Sequence, residues 1–358
     1  MSVDEQLGPH REAIDHIDQT IVKLLNERAG HAQAIGVLKG SGVVYRPERE
    51  AEVLRRIKAI NPGPLPDEAV ARLFREIMSE CLAIERPLTV TYLGPEGTFS
   101  QLAATKHFGH AAHTQACATI DECFRLVEAR QADYVVAPVE NSTEGAVGRT
   151  LDLLVSSPLK ACGEVVLRIH HQLLRQTEGF EGVNKVYAHA QALAQCNEWL
   201  SKNLPDSVER ISVSSNAEAA RLASLDPSVV AIASQAAAER YDLIKVATNI
   251  EDEPNNTTRF LVLGHQGTNS TGLDKTSLIV SAPNQPGAVH TMLQPFADFG
   301  VSMTKLESRP SRAGLWDYVF FIDIEGHCED GAISAALGEL ANRAAFIKQI
   351  GSYPVAVL

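Results

Sequence analysis

The sequence predicts a multidomain fold: an all-α module, then an α/β module, then an α+β module of ferredoxin-like order. Three observations carry this. Apolar residues recur at helical spacing from Ile14 to Cys81, short β-rich runs alternate with helical ones from Thr89, and a polar stretch at 265–274 precedes a βαββαβ pattern. At 358 residues the chain has room for two or three domains with cores of their own.

The first helix is expected over 10–39, where Ile14, Ile17, Ile21, Leu24, Ile35 and Leu38 form one buried stripe. Pro47 opens a second helix with Val53, Leu54, Ile57 and Ile60 inside, and Asn-Pro-Gly-Pro-Leu-Pro at 61–66 stops it. A third follows Asp67, buries Val70, Leu73, Phe74, Ile77, Met78 and Cys81, and ends before Pro87. From Thr89 the runs VTYLG, DYVVAPV, KVYAH, VERISVS, SVVAIAS and TRFLVLG read as strands alternating with helices. Their connections, GPEGTFS (94–100), ENSTEG (140–145) and SSN (214–216), place hydroxyls, amides and helix N-termini at strand ends, where open α/β sheets bind ligands. After 274 the order TSLIVSA, helix, VSMTKLES, DYVFFIDIE, helix, FIKQIGSY is the split βαβ arrangement. Domain bounds of 1–88, 89–266 and 274–358 follow.

Composition narrows the function. The chain is 45% hydrophobic and 21% charged, too apolar for a disordered protein. A net charge of -12 repels nucleic acid and anionic membranes, so an anionic substrate requires a local cluster of positive groups. The N-terminus lacks a basic start followed by an apolar stretch, and no run is apolar enough to span a bilayer, which predicts a cytoplasmic protein. Six scattered cysteines without a C-x-x-C pair are expected to be buried free thiols. His170, His171 and His189 have no acidic or cysteine partners at ligand spacing, so no metal is expected.

In the first helix Arg28 falls where the series 14, 21, 28, 35 requires an apolar residue. A buried guanidinium needs an anion. Lys39 returns to within about 20° of the same face roughly 16 Å along the axis, so both side chains are placed to grip one small dianion. Arg11 lies about 25 Å and roughly 100° from Arg28, too far to share that ligand within one chain. In the third helix Glu85 sets a carboxyl on the apolar face. Interhelical salt bridges among Arg28, Glu85, Arg49 and Glu50 fit the pattern equally well.

At these residues, over 7–87, the chain resembles the all-helical chorismate mutases that open bifunctional P-proteins. The resemblance implies an intertwined homodimer in which Arg11 comes from the partner chain and joins Arg28, Lys39, Arg49, Glu50 and Glu85. It gives the arginines the two carboxylates of chorismate, Glu50 the ring hydroxyl, and Lys39 with Glu85 the ether oxygen. A Claisen rearrangement needs only a compact substrate conformer and donors where charge grows on the breaking bond. Here Glu85 stands where some relatives have Gln, and Cys81 where they have Ser. An ionised Glu85 cannot donate a hydrogen bond, so it is expected to be kept protonated among apolar neighbours.

Between 89 and 264 there is no phosphate loop, dinucleotide fingerprint or H-E-x-x-H. In order, GPEGTFS, PVENSTEGAVG (138–148), YAHAQALAQC (187–196) and NNTTRF (255–260) resemble the prephenate dehydratase domain. That resemblance implies two α/β lobes with prephenate in the cleft and no cofactor. Thr258, of the Thr258-Arg259-Phe260 motif, would assist departure of the ring hydroxyl, and Asn141, Ser142, Thr143, His189, Gln191, Gln195, Arg259 and Phe260 would bind prephenate. A threonine hydroxyl is a poor proton source, so hydrogen bonding or relay is expected of Thr258 rather than outright acid catalysis. Ala188 replaces a frequent Ser, which leaves that hydroxyl dispensable or supplied by Ser214 or Ser215.

NQPGAV (284–289) and KLESRPSR (305–312) resemble the ACT regulatory domain of prephenate dehydratases. By that resemblance Gly287, Ala288, Val289, Glu307, Ser308, Arg309 and Pro310 bind phenylalanine at a dimer interface. A tight β-α turn would also account for the first motif. The whole implies conversion of chorismate to prephenate and then to phenylpyruvate, with feedback inhibition by phenylalanine. Two further readings stay open: a non-catalytic binding protein, and a chain in which only one catalytic module is active and the helical module serves mainly as a dimerisation arm.

Overall fold

The computed structural model describes residues 3–40, 44–282, 285–310 and 318–358. Three helices come first: α1 (Val3–Lys39), α2 (Pro47–Ile60) and α3 (Asp67–Glu85). The α1 helix begins earlier than the apolar stripe predicts, with Pro9 inside its opening turns. Pro47 in the first turn of α2 is half of a familiar punctuation, a residue with no N–H to leave unpaired.

Within a single chain the α1 stripe is not buried. Ile14, Ile17, Ile21, Leu24 and Ile35 are 47–57% exposed and Leu38 is 86% exposed in the single chain. Rows at three- and four-residue spacing bury only when something lies against them, and here α3 meets α1 along part of its length. In α2, Leu54 and Ile57 are buried as expected, whereas Ile60 is exposed. In α3 the fully buried face is Ala71, Arg75, Ser79 and Cys81, and Leu73 is exposed. Arg75 is buried because it lies between α2 and the α/β region, pairing with Glu50 of α2 and donating to the His107 carbonyl.

The next elements are β1 (Thr89–Leu93), α4 (Phe99–Phe108), β2 (His113–Cys117), α5 (Ile120–Glu128), β3 (Tyr134–Asn141), β4 (Gly145–Ala146), α6 (Gly148–Ser156) and β5 (Lys160–Arg168). They are followed by β6 (Gln172–Arg175), β7 (Lys185–Ala188), α7 (Ala190–Gln195), α8 (Asn197–Asn203), β8 (Glu209–Ser212), α9 (Asn216–Ala223), β9 (Val229–Ala233), α10 (Gln235–Arg240), β10 (Ile244–Ala247) and β11 (Thr257–Gly264). Two sheets result. The first runs β2-β1-β3-β11-β5 with β4 on β3, and the second runs β10-β6-β9-β7-β8. The chain crosses from the first sheet to the second after β5 and returns in β11, which inserts antiparallel between β3 and β5. This double crossing makes two lobes. Side-chain hydroxyls of Thr98, Thr119, Ser215 and Ser234 cap α4, α5, α9 and α10, satisfying amides that would otherwise be orphaned.

The last six elements are β12 (Asp274–Ser281), α11 (Ala288–Asp298), β13 (Met303–Pro310), β14 (Tyr318–Glu325), α12 (Gly331–Arg343) and β15 (Phe346–Pro354). Their antiparallel sheet, β13-β14-β12-β15, has the βαββαβ order expected. It docks on the first lobe: Phe321 and Tyr353 share one core with Phe124, Leu151, Leu154 and Leu263. Close approach of β15 to β5 requires Gly351, where a Cβ would lie 2.1 Å from the Ala161 carbonyl oxygen.

The stretch 265–273 is polar but anchored along its length. Gln266 donates to the Tyr45 carbonyl and the Tyr134 hydroxyl, both at 2.8 Å, and Thr268 bonds the Ser352 carbonyl. Chain-terminal residues return to α2, with Lys58 Nζ 2.5 Å from the Val357 carbonyl. Among the described residues no helix is long and apolar enough to cross a membrane.

Candidate functional sites

A cleft of about 750 Å³ opens between the two lobes. Loops from both sheets line it. On the first-lobe side stand Thr98, Phe99, Asn141, Thr258 and Phe260, and on the second His171, His189, Gln191, Gln195, Ser214 and Ser215. Gly97 carries φ +85° and passes close to α10, where a Cβ would sit 3.3 Å from Ala237 Cα. Ser234 donates to the Gly97 carbonyl at 2.7 Å, tying the lobes at the base of the cleft.

Asn141 organises one end of the cleft. Its Oδ1 accepts from Thr143 N at 3.0 Å, Thr143 Oγ1 at 2.6 Å and Glu144 N at 3.1 Å, an Asx turn that fixes the amide orientation. The Nδ2 must then point the other way, and it donates to Asn256 Oδ1 and Thr258 Oγ1, each at 2.8 Å. Thr258 is an acceptor in that bond. Its own hydrogen has no acceptor among the described residues and is left for a ligand in the cleft.

A second chain of contacts links the lobes. Asn256 Nδ2 donates to Gln195 Oε1 at 3.0 Å, and Gln195 Nε2 donates to Thr143 Oγ1 at 3.2 Å. With Gln195 Oε1 an acceptor, the His171 Nε2 at 3.0 Å carries the proton, so Nδ1 is left as a buried acceptor without a partner among the described residues. Burial lowers the His171 pKa, against a smaller raising effect of the Gln195 bond, so the ring is neutral at physiological pH. Cys117 also lines the cleft, but burial pushes its thiol up, away from thiolate chemistry.

The sequence-predicted residues divide. Asn141, His189, Gln191, Gln195, Thr258 and Phe260 line the cleft; Ser142 and Thr143 stand behind it, Ser142 Oγ accepting from Thr257 N at 2.9 Å. Arg259 is a correction. Strand alternation turns it to the opposite face of β11, where it pairs with Glu164, Asp323 and Tyr353 rather than with anything in the cleft. Ala188 is buried beneath the cleft, and Ser214 and Ser215 reach its lining. Asn256 and His171 were missed as site residues. Asn256 lay in a quoted motif, but only the fold brings it against Asn141.

In the helical module two pairs join α1 to α3, Arg28 with Cys81 and Lys39 with Glu85. Arg28 Nη1 lies 2.9 Å from Cys81 Sγ, and Lys39 Nζ lies 3.4 Å from Glu85 Oε1 and 3.1 Å from the Val44 carbonyl. Gly36 makes the room: a Cβ there would be 2.5 Å from Glu85 Cγ. Apolar surroundings for Glu85 are therefore corrected, since a lysine ammonium stands beside it. Arg11 is exposed towards the far end of α1, Arg49 is exposed and pairs with Glu52 at 3.1 Å, and Glu50 is drawn to Arg75. Within one chain these three do not join the cluster.

On the last sheet Gly287 caps α11 with φ +77°, and Ala288 and Val289 begin that helix. Glu307, Ser308, Arg309 and Pro310 close the edge strand β13, with Glu307 and Arg309 on its half-buried face and Ser308 and Pro310 exposed. Asn284, Ser311 and Arg312 of the same motifs lie outside the described residues.

Comparison with known proteins matches this division. Family models for chorismate mutase type II, prephenate dehydratase and the ACT domain match residues 10–86, 90–268 and 276–342. A bifunctional chorismate mutase/prephenate dehydratase of Neisseria gonorrhoeae is 68% identical over 100% of this chain and 99% of its own length. One from Stutzerimonas stutzeri is 51% identical, with all of both chains covered. The solved prephenate dehydratase of Arthrobacter aurescens, in complex with L-Phe, is 33% identical with a TM-score of 0.67, covering 75% of this chain and 90% of that one. Since the likeness runs unbroken from the Arg28–Glu85 cluster through the Asn141–Thr258 cleft to the βαββαβ sheet, the chain belongs to the bifunctional chorismate mutase/prephenate dehydratases with a C-terminal ACT domain.

Proposed function

We propose that the α1–α3 cluster rearranges chorismate, that the interlobe cleft converts the resulting prephenate to phenylpyruvate, and that phenylalanine binds the last sheet to restrain the second step. The observation that carries the cleft assignment is the Asn141–Thr258 bond, which fixes one hydroxyl with its hydrogen directed to a ligand. In prephenate the ring carboxylate leaves as carbon dioxide, its electron pair enters the ring, and the ring C–O bond breaks. The oxygen departs as hydroxide stabilised by the Thr258 O–H and becomes water with a solvent proton. Aromatisation drives the reaction. The site has only to hold the carboxylate in a dry cleft and support the leaving oxygen.

In the mutase cluster Arg28 holds a carboxylate of chorismate and Lys39 donates to the ether oxygen, while Glu85 orients Lys39 by accepting from it. Arg11 completes the site from a second chain. The exposed α1 stripe supports that dimer, since fully burying an exposed aliphatic side chain contributes roughly 1.5–3 kcal/mol and six such residues, each about half-exposed or more, share one face. Gly287–Val289 and Glu307–Pro310 are the proposed phenylalanine residues, supported by the likeness to a prephenate dehydratase solved with L-Phe.

Two variants test the assignment of separate sites. Glu85→Gln keeps an acceptor for Lys39 and should retain mutase activity within about tenfold, whereas Glu85→Leu should lose about 100-fold, one badly placed donor being worth that much. Prephenate turnover should be unchanged in both. Equal mutase activity of the two variants would remove Glu85 from the site, and a parallel loss of prephenate turnover would contradict two independent sites.

A further inference from the structure

The reacting pair of the cleft is backed by a second pair on the other face of the same two strands. Thr258 lies opposite Asn141 in the β11–β3 ladder, and Arg259 lies opposite Glu140. Alternation therefore sends Asn141 and Thr258 into the cleft and Glu140 and Arg259 towards the C-terminal sheet.

Three strands of that sheet send a polar group to one of them, and the fourth reaches Glu164, which itself pairs with Arg259. From β13, Lys305 Nζ is 2.8 Å from Glu140 Oε2. From β14, Asp323 pairs with Arg259. From β15, the Tyr353 hydroxyl accepts from Arg259 Nη2 at 2.8 Å. From β12, Lys275 reaches Glu164 Oε1 at 3.0 Å, and Glu164 Oε2 accepts from Arg259 Nε at 2.8 Å. Ser277 closes the set with a 2.5 Å bond to Asp323 Oδ1. Burial by itself would lower the Arg259 pKa, but Tyr353, Asp323 and Glu164 outweigh it and push it up, so the guanidinium stays charged.

The Glu164, Asp323 and Tyr353 side of this network is buried, where an unpaired member is costly, and Glu140 stands at its half-exposed margin. A displacement of the C-terminal sheet must therefore break a pair or carry β3 and β11 with it. The strand best placed to deliver one is β13. Lys305, Glu307 and Arg309 share its half-buried face, and Arg309 Nη2 reaches Asp152 Oδ1 of α6 at 3.5 Å.

We propose that Glu140 and Arg259 are positioning residues for the Asn141–Thr258 pair, and that the Lys305–Glu140 ion pair transmits phenylalanine binding on β13 to the dehydratase cleft. This rests on the reading of the last sheet as the phenylalanine sensor. A ligand alters the cleft only through a difference in its affinity for two arrangements, and this pair joins the strand that would sense phenylalanine to the strand that ends in Asn141.

The test is a double-mutant cycle on the full-length protein with Lys305→Met, Glu140→Gln and both together. Phenylalanine affinity is measured by calorimetry, and prephenate kcat and KM are measured with and without saturating phenylalanine. In the wild type phenylalanine should lower kcat/KM by about 10-fold or more, within the usual range of coupling. Each single variant should bind phenylalanine within about threefold of the wild type, yet show a response below about twofold, and the double variant should match the singles. Phenylalanine binding reports a folded sensor. Should Lys305→Met fail to fold, the isosteric Glu140→Gln carries the test alone. Inhibition undiminished in Glu140→Gln or Lys305→Met overturns the proposal, as do losses that add in the double variant. A wild type that binds no phenylalanine overturns the sensor reading beneath it, and one that binds phenylalanine without a change in kcat/KM leaves the sensor standing and removes the coupling.

Discussion

Thr258→Val should lower prephenate turnover by about 100- to 1,000-fold, the effect of deleting one aimed hydrogen-bond donor in a dry site, and leave chorismate rearrangement untouched. Valine has the same shape and the same preference for strands, so β11 keeps its place between β3 and β5. What it removes is the acceptor for Asn141 Nδ2 and the donor for the leaving oxygen. The lost internal bond costs about 1 kcal/mol of stability, well within what a folded domain tolerates, because Asn141 retains Asn256 as a partner. Thr258→Ser keeps the hydroxyl and should keep most of the activity. Near-normal turnover by the valine variant, with its unfolding temperature unchanged, would remove Thr258 from the mechanism.

Arg11→Ala and Arg28→Ala should each reduce mutase activity by about 100-fold or more, since a carboxylate left without its cation loses both orientation and charge balance. Co-expression of the two variants should restore about a quarter of wild-type activity. If each site takes Arg11 from one chain and Arg28 from the other, every mixed dimer has one intact site, and random assembly makes half of the dimers mixed. Restoration would establish a shared site directly. With both arginines in one chain, no assembly of the two variants contains an intact site, and activity would stay at the level of either alone.

The boundary between helical and α/β regions was legible because the apolar period changes at Thr89, and the βαββαβ order because its six segments follow without interruption. Thr258 and Asn141 could be picked out by motif, but not their mutual bond, which depends on β11 returning to pair with β3 across more than a hundred residues. Arg259 was misplaced for a related reason. A motif read as a unit hides the alternation of a strand, which sends its middle residue away from its neighbours. The α1 stripe was read as buried because periodicity reports that a face needs cover without reporting which chain supplies it. His171 and Arg75 carry no signature at all: each became significant through a tertiary neighbour, Gln195 for one and Glu50 for the other.

The most direct measurement gives the purified full-length protein chorismate alone and follows prephenate and phenylpyruvate over time. Prephenate should rise first and phenylpyruvate should follow it, the second step slowing when phenylalanine is added. Chorismate left untouched, or prephenate that accumulates without conversion in the absence of phenylalanine, would contradict a chain that carries both reactions.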